Sequence, residues 1–421
     1  MTGNAPNGVR ATRRVLGFEW PERVTPAEKH SLLAGGLGWM LDAMDVMLYS
    51  MVLSHLMGEL GMNKEQAGLL NSLTLIASAL GGFLFGFIAD RVGRTRALMA
   101  SILVYSLASG ACGLSETVLQ LAIFRFILGL GMGGEWTTGA ALIAETWPPE
   151  HRGKALGLMQ SSWAIGEMIA AGVVALVLPR FGWRAVFFVG VLPALLTLWI
   201  RRGVPESEIW LERGKEKPGS LAQLWAPGLR RHTIVATTMN ALAMFGYWGL
   251  FTWIPAYLSL PVAEGGRGLG LMATTTWLLL MGVGKWFGYT LFGFAADAFG
   301  RRISYVVYLL VAAALVPLYG ITSDATWLLV LGPFVAFFGT GYFSGFSALA
   351  SELFPTDIRA TAMGLTYNIG RGFSALAPFV VGGLAMRWGG LGTAFFVLAG
   401  AFALAGMLAL MLPETKGKKL D

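Results

Sequence analysis

The chain has 421 residues, of which 55% are apolar and only 13% charged, and it carries a formal net charge of +7. So little charge cannot cover the surface of a water-soluble protein of this length, which excludes a soluble enzyme or binding domain. The single cysteine, Cys112, excludes a disulfide framework and a multi-cysteine metal site, and four histidines do not replace one.

In chain order, the polar first 30 residues carry Arg10, Arg13, Arg14, Arg23 and Lys29 with no short apolar core after them, so they read as a tail and not as a removable signal peptide. A helix needs about 20 apolar residues to cross a hydrocarbon core of about 30 Å. Stretches of that length run approximately Ser31–Met57, Glu65–Ala89, Thr95–Ser115, Thr117–Ala144, Gly153–Leu178 and Trp183–Ile200. A polar segment, 201–231, separates them from Thr233–Leu258, Gly270–Ala296, Ile303–Ile321, Ala325–Ser351, Thr361–Met386 and Leu391–Leu412. The predicted fold is therefore an all-α membrane protein with twelve transmembrane helices. They form two six-helix bundles, 31–200 and 232–412, flanked by tails 1–30 and 413–421.

Placing both termini in the cytoplasm leaves only Lys64, Arg180, Arg184, Arg267 and Arg387 in outer loops and Arg125, Lys285 and Arg371 within spans; the other 23 of the 31 Lys and Arg fall inside. That asymmetry follows the positive-inside rule, so topology accounts for the basic charge and no nucleic-acid partner is needed. The expected location is a bacterial inner membrane, with the bilayer as partner and a monomer as the working unit.

An internal repeat supports the two bundles. The run Gly86-x-x-x-Asp90-Arg91-x-Gly93-Arg94 recurs as Gly293-x-x-x-Asp297-x-x-Gly300-Arg301. At the same spacing Glu145, Pro148 and Arg152 recur as Glu352, Pro355 and Arg359, and Pro205-Glu206 returns near the end as Pro413-Glu414. Parallel repeats of this kind place a solute path between the halves near the bilayer midplane.

The repeated loop is similar to the signature of the major facilitator superfamily. Within it, Gly35 to Asp45, Gly129 to Glu135, Tyr247 to Pro255 and Ile358 to Thr361 with Gly370-Arg371 resemble bacterial niacin permeases, while Trp147 to Trp210 and Leu365 to Asn368 resemble sialate and lactate proton symporters. The resemblance covers essentially the whole chain. It implies a carrier for small carboxylates without choosing between the two groups.

Aspartates at cytoplasmic helix ends with nearby arginines can bond a neighbouring helix and close an inner gate. Asp90, Arg91, Arg94, Asp297 and Arg301 are assigned that role, with Glu145, Arg152, Glu352 and Arg359 in the same network. Gly129-x-Gly131-x-x-Gly134 matches a dinucleotide fingerprint in letters only: it lies inside an apolar span with no preceding strand, so it reads as close helix packing. No phosphate-binding loop occurs either, and no cofactor is expected.

Charges inside spans are costly unless they face a cavity or a partner. The first bundle holds Asp42, Asp45, Arg125, Glu135 and Glu167; the second holds Lys285 and Arg371. Counted along their helices, Asp45 lies about 20 Å above the inner surface and Arg125 about 12 Å below the outer one, nearly level, so an ion pair is possible. Resemblance to proton-coupled sugar porters, which carry such an aspartate and arginine, implies that Asp45 takes the proton and Arg125 modulates it. Asp42 and Glu135 are further proton-site candidates, and Glu167 departs from either related group. Arg371 can hold a carboxylate through two parallel bonds, and Lys285 either adds a point charge to that site or pairs with Glu135 or Glu167. Tyr367, Asn368, Trp136 and Tyr247 are candidates to contact a planar solute.

The expected function is proton-coupled uptake of a small organic monocarboxylate by alternating access. An organic-cation carrier, an uncoupled or antiporting carrier and a transport-fold sensor stay open. No nucleophile, base and orienting group occur together, so an enzyme is not expected.

Overall fold

The computed structural model describes residues 12–15, 18–21, 24–212, 224–354 and 359–416. Apart from a short antiparallel hairpin, β1 (Thr12–Val15) with β2 (Phe18–Pro21), these residues are helical. In hydrocarbon every backbone N–H and C=O must bond within its own segment, which helices alone achieve without closing a barrel.

The first half comprises α1 (Pro26–Leu60), α2 (Lys64–Val92), α3 (Arg94–Cys112), α4 (Val118–Thr146), α5 (Pro149–Val189) and α6 (Ala194–Gly203). After the short α7 (Glu208–Glu212), the second half follows as α8 (Pro227–Ser259), α9 (Leu271–Phe299), α10 (Arg301–Ile321), α11 (Ala325–Thr340), α12 (Phe343–Leu353), α13 (Arg359–Ser374), α14 (Leu376–Arg387) and α15 (Leu391–Leu410). Helix starts follow local chemistry. Thr25 accepts from the Glu28 N–H while its own N–H donates to the Glu28 carboxylate, Pro26 opens α1, and Asn63 and Gln66 make the same reciprocal cap on α2.

Among the described residues, eleven segments are long and apolar enough to cross a membrane, one fewer than expected, because the fifth and sixth predicted spans merge into a 49-residue stretch, Ala155–Gly203. At about 1.5 Å per residue that stretch is more than twice the hydrocarbon thickness. Gly182, with φ 75° and ψ 176°, breaks it and divides it into two crossings. The polar segment 201–231 contains α7, and residues 213–223 lie outside the described residues.

The glycines of α4 serve packing, as expected from their apolar context. A Cβ on Gly133 would collide with the Ser78 carbonyl on α2, and one on Gly131 with the backbone of α3 at Tyr105. The two halves meet closely at the end that carries the α1–α2 turn. Asn71 donates to Thr252 at 2.8 Å, the Lys64 ammonium to the Glu264 carbonyl at 2.6 Å, and the Phe379 N–H to Ser72 at 3.3 Å. The positive-inside reading assigns this closed end to the outside.

At the opposite end the repeat becomes a repeated structure. Arg94 pairs with Glu145 at 3.1 Å, and Arg301 with Glu352 at 3.2 Å. Glu206 accepts from the Arg94 and Thr95 N–H groups, and Glu414 from those of Arg301 and Arg302, so each carboxylate satisfies the orphan donors at a helix start and meets the positive end of its dipole. The turn before each helix is a glycine in a region of backbone space closed to other residues, Gly93 at φ 110°, ψ 155° and Gly300 at φ 103°, ψ 153°. Replacing Gly93 by alanine therefore lowers stability by ~1–3 kcal/mol, read as a lower melting temperature of the purified protein.

Burial raises the Glu414 pKa, but N–H bonds from Lys416, Arg301, Arg302 and Thr415 outweigh it and hold the carboxyl below its ordinary value of 4.5. A lowered folded-state pKa adds stability above the unfolded value that is lost as pH falls through the folded one. Glu414→Gln accordingly melts at a lower temperature than the parent at pH 7. The difference shrinks in acid below the ordinary glutamate range, and a gap independent of pH would contradict the assignment.

Candidate functional site

Between the halves, near the middle of the long helices, lies a narrow cavity of about 20 Å³. Trp39 of α1 and Gln160 and Trp163 of α5 line one side; Tyr247 and Trp248 of α8, Tyr289 of α9, Phe343 of α12, and Tyr367 and Arg371 of α13 line the other. Sites of this type combine an apolar, aromatic wall with few polar groups. The rings brace one another: Trp39 on Trp163 at 4.6 Å, Trp163 edge-on to Trp248 at 6.0 Å, and Tyr247 on Phe343 at 5.0 Å.

Arg371 is the one cavity cation, and it is 2% exposed. Among the described residues its guanidinium has neither a hydrogen bond nor an ion pair. A buried guanidinium carries five donors and a charge that ordinarily demand a partner. Arg371 thus faces the aromatic cavity with no hydrogen bond or ion pair among the described residues.

Across from it stand acids. Asp42 of α1 and Glu135 of α4 are fully buried, neither has a hydrogen-bond partner at either carboxylate oxygen, and both are within the electrostatic reach of Arg371. Glu135 lies over Gly38, where a Cβ would strike its carboxylate, so α1 needs glycine at that crossing.

Two expectations change. Asp45 and Arg125 do not pair. Level depth does not fix direction around a helix, and the two side chains point to different neighbours. Asp45 is packed inside the first bundle, with Ser109 of α3 donating to it at 3.4 Å and Gly190 against it. Arg125 donates to Thr74 at 3.0 Å and Asn71 at 2.9 Å on α2, and its guanidinium covers the Tyr49 ring at 3.9 Å. Neither lines the central cavity.

Lys285 is not a free charge for the central cavity either. It is paired with Glu167 at 2.5 Å, 3% exposed, and lies over the Phe251 ring at 3.6 Å. The other oxygen of Glu167 accepts from the Trp163 indole at 2.8 Å and the Tyr247 hydroxyl at 3.0 Å. Pairing with Glu167 was one of the two partners that the sequence allowed.

Of the aromatic and amide candidates, Tyr247 and Tyr367 line the cavity. Trp136 stands behind Tyr367, stacked at 4.2 Å and 10°, and joins the halves. Asn368 turns instead to α2, its side-chain oxygen facing Gly82. The gating candidates Arg94, Glu145, Arg301 and Glu352 pair within their own halves, and Arg91 lies on the Phe87 ring. The side chains of Asp90, Arg152, Asp297 and Arg359 lie outside the described residues.

Sequence reasoning missed Asn71 and Thr74, the partners of Arg125, although polar residues in an otherwise apolar span were a usable signal. Trp39, Tyr289 and Phe343 carried none, since nothing separates a cavity ring from a packing ring until helices are placed.

The Major Facilitator Superfamily profile matches residues 36–284 and 266–421. The chain is 31% identical to the putative niacin/nicotinamide transporter NiaP of Bacillus subtilis, covering 94% of this chain and 99% of that one. It is 32% identical to the sialic acid transporter NanX of Escherichia coli, over 92% and 95% respectively. Its fold superposes on the partially occluded, inward-open xylose transporter XylE of E. coli with a TM-score of 0.75, covering 94% of this chain and 100% of that one at 20% identity. The duplicated loop, the two sets of helices and these likenesses together show that the chain is a multi-pass membrane transporter, not an enzyme, and belongs to the Major Facilitator Superfamily.

Proposed function

We propose that this transporter takes up a small organic monocarboxylate together with one or more protons by alternating access, as a monomer in a bacterial inner membrane with both termini inside. The observation that carries this reading is Arg371, a buried guanidinium with no partner among the described residues, set in an aromatic cavity between the two halves. Bidentate pairing with a carboxylate satisfies both its charge and its geometry. Nicotinate and sialate, acids of the kind named for two relatives, both carry such a group.

Asp42 and Glu135 supply the proton site in this reading, in place of Asp45 and Arg125. Loading Arg371 with solute and the acids with protons neutralises the interior, so the halves can rock without moving bare charges through a closed state. The tail, bundle and linker boundaries expected from the sequence, and an inner-gate role for the paired arginines, belong to the same proposal. In the present closed-outside arrangement Arg94 and Arg301 brace their own halves, which frees the inner end to open.

Arg371→Ala weakens binding of nicotinate, benzoate or N-acetylneuraminate by about 2 kcal/mol or more, tens-fold in Kd, measured by titration of the purified protein; unchanged affinity for whichever acid binds the parent removes Arg371 from the site. In proteoliposomes, Asp42→Asn or Glu135→Gln abolishes accumulation driven by an inward-acid pH jump while equilibrium exchange of the same solute continues. Accumulation that persists in both variants would reject these acids as the proton site, and competition by an amine in place of an acid would reverse the charge of the substrate.

A further inference from the structure

The Glu167–Lys285 pair divides two cavities. Along every helix that lines both, the residues of the second cavity lie toward the closed α1–α2 end: Met47 and Met51 beyond Trp39, Glu167 beyond Trp163, Phe251 and Ile254 beyond Tyr247, and Lys285 one turn from Tyr289. This second cavity is a constriction of about 20 Å³, and beyond it a mouth of about 370 Å³ is bordered by Ser54, His55, Ser259 and Glu264. The three spaces are stacked in one line between the halves. Glu167 is the wall between the inner two: one of its oxygens holds Lys285, and the other holds Trp163 and Tyr247, which face the central cavity.

The pair also clasps the halves, since Glu167 belongs to α5 and Lys285 to α9. Parting it without replacement leaves two charges uncompensated in a low-dielectric interior. An incoming carboxylate is itself a replacement for Glu167 on Lys285, and an uncharged solute is not.

We propose that the second cavity is a transit site for the carboxylate, with Lys285 as its ligand and Glu167 as the counter-ion it displaces. The acid enters with its apolar body against Met47, Met51 and Ile254, exchanges places with Glu167 on Lys285, and loosens the hold of Glu167 on Trp163 and Tyr247. Passage then opens toward Arg371. The pair therefore selects acids over their amides before the central site is reached. This inference rests on the carboxylate reading of the central site, and it adds a second, separately testable site.

The test uses benzoate and benzamide, a planar acid and its uncharged counterpart, titrated at pH 7 against the purified full chain. In an Arg371→Ala background, adding Glu167→Gln releases Lys285 and tightens benzoate binding at least tenfold, with benzamide unchanged. Adding Lys285→Gln instead removes the preference for the acid. The Glu167→Gln/Lys285→Gln variant, in which no charge is left unpaired, keeps the fold and transports benzoate and benzamide with less discrimination than the parent. Benzoate binding that is absent from the Arg371→Ala/Glu167→Gln variant, or no tighter there than in Arg371→Ala alone, would overturn the transit site. Failure of the central-site reading shows separately, as unchanged benzoate affinity in Arg371→Ala by itself.

Discussion

Charge inside hydrocarbon has to be answered by charge, by hydrogen bonds or by water, and the interior of this transporter is organised by how each charged group meets that demand. Arg125 is answered by Asn71, Thr74 and the face of Tyr49. Lys285 and Glu167 answer each other across the two halves. Arg371, Asp42 and Glu135 have no such hydrogen-bonded or ion-paired answer among the described residues, and all three are at or near full burial. Groups of the first kind hold the structure in one state. Groups of the second kind are the ones on which the proposed transport rests.

That division connects the folding of the halves to their motion. Each half is braced, at the end opposite the α1–α2 turn, by the same device: a glycine turn closed to other residues, a carboxylate over the next helix start, and an arginine–glutamate pair. Rigid halves can rock as units, so the contacts that change are those between them. At the end that carries the α1–α2 turn these include polar contacts, Asn71 to Thr252 and Lys64 to the Glu264 carbonyl, beside a close crossing of α2 on α14 where a Cβ on Gly68 would strike the Pro378 backbone and one on Gly382 the Lys64 carbonyl. Deeper in, aromatic stacking of Trp136 on Tyr367 and the Glu167–Lys285 clasp join the halves beside the cavity. Trp163, Tyr247 and Tyr367 thus both line the cavity and join the halves, through the Trp163–Tyr247 and Tyr247–Glu167 hydrogen bonds and the Trp136–Tyr367 stack.

Arg125 and Asp45 illustrate why a motif and a depth do not amount to a contact. Both sit at comparable heights, and both lie in the first half, yet one turns to α2 and the other to α3. Asn71 ties Arg125 directly to the interface, because its carboxamide oxygen accepts from Arg125 while its nitrogen donates to Thr252 of the other half. The arginine of the fourth helix is thereby linked to the contact between the halves through an amide and not through an acid.

The amino-acid sequence alone determined the solvent, the helical class, the duplication, and which few charged residues fall within spans, because hydropathy, repeat spacing and the position of intramembrane charge are properties of residues along one dimension. It also placed Lys285 within reach of Glu167 or Glu135 without separating them. Only the tertiary structure decided that Glu167 is the partner, that Asp45 is enclosed by its own bundle, that Trp39, Tyr289 and Phe343 face the cavity, and that Arg371 has no hydrogen bond or ion pair among the described residues. The physical reason is rotational: rise along a helix follows from counting residues, whereas the direction in which a side chain points is set by how fifteen packed helices turn against one another.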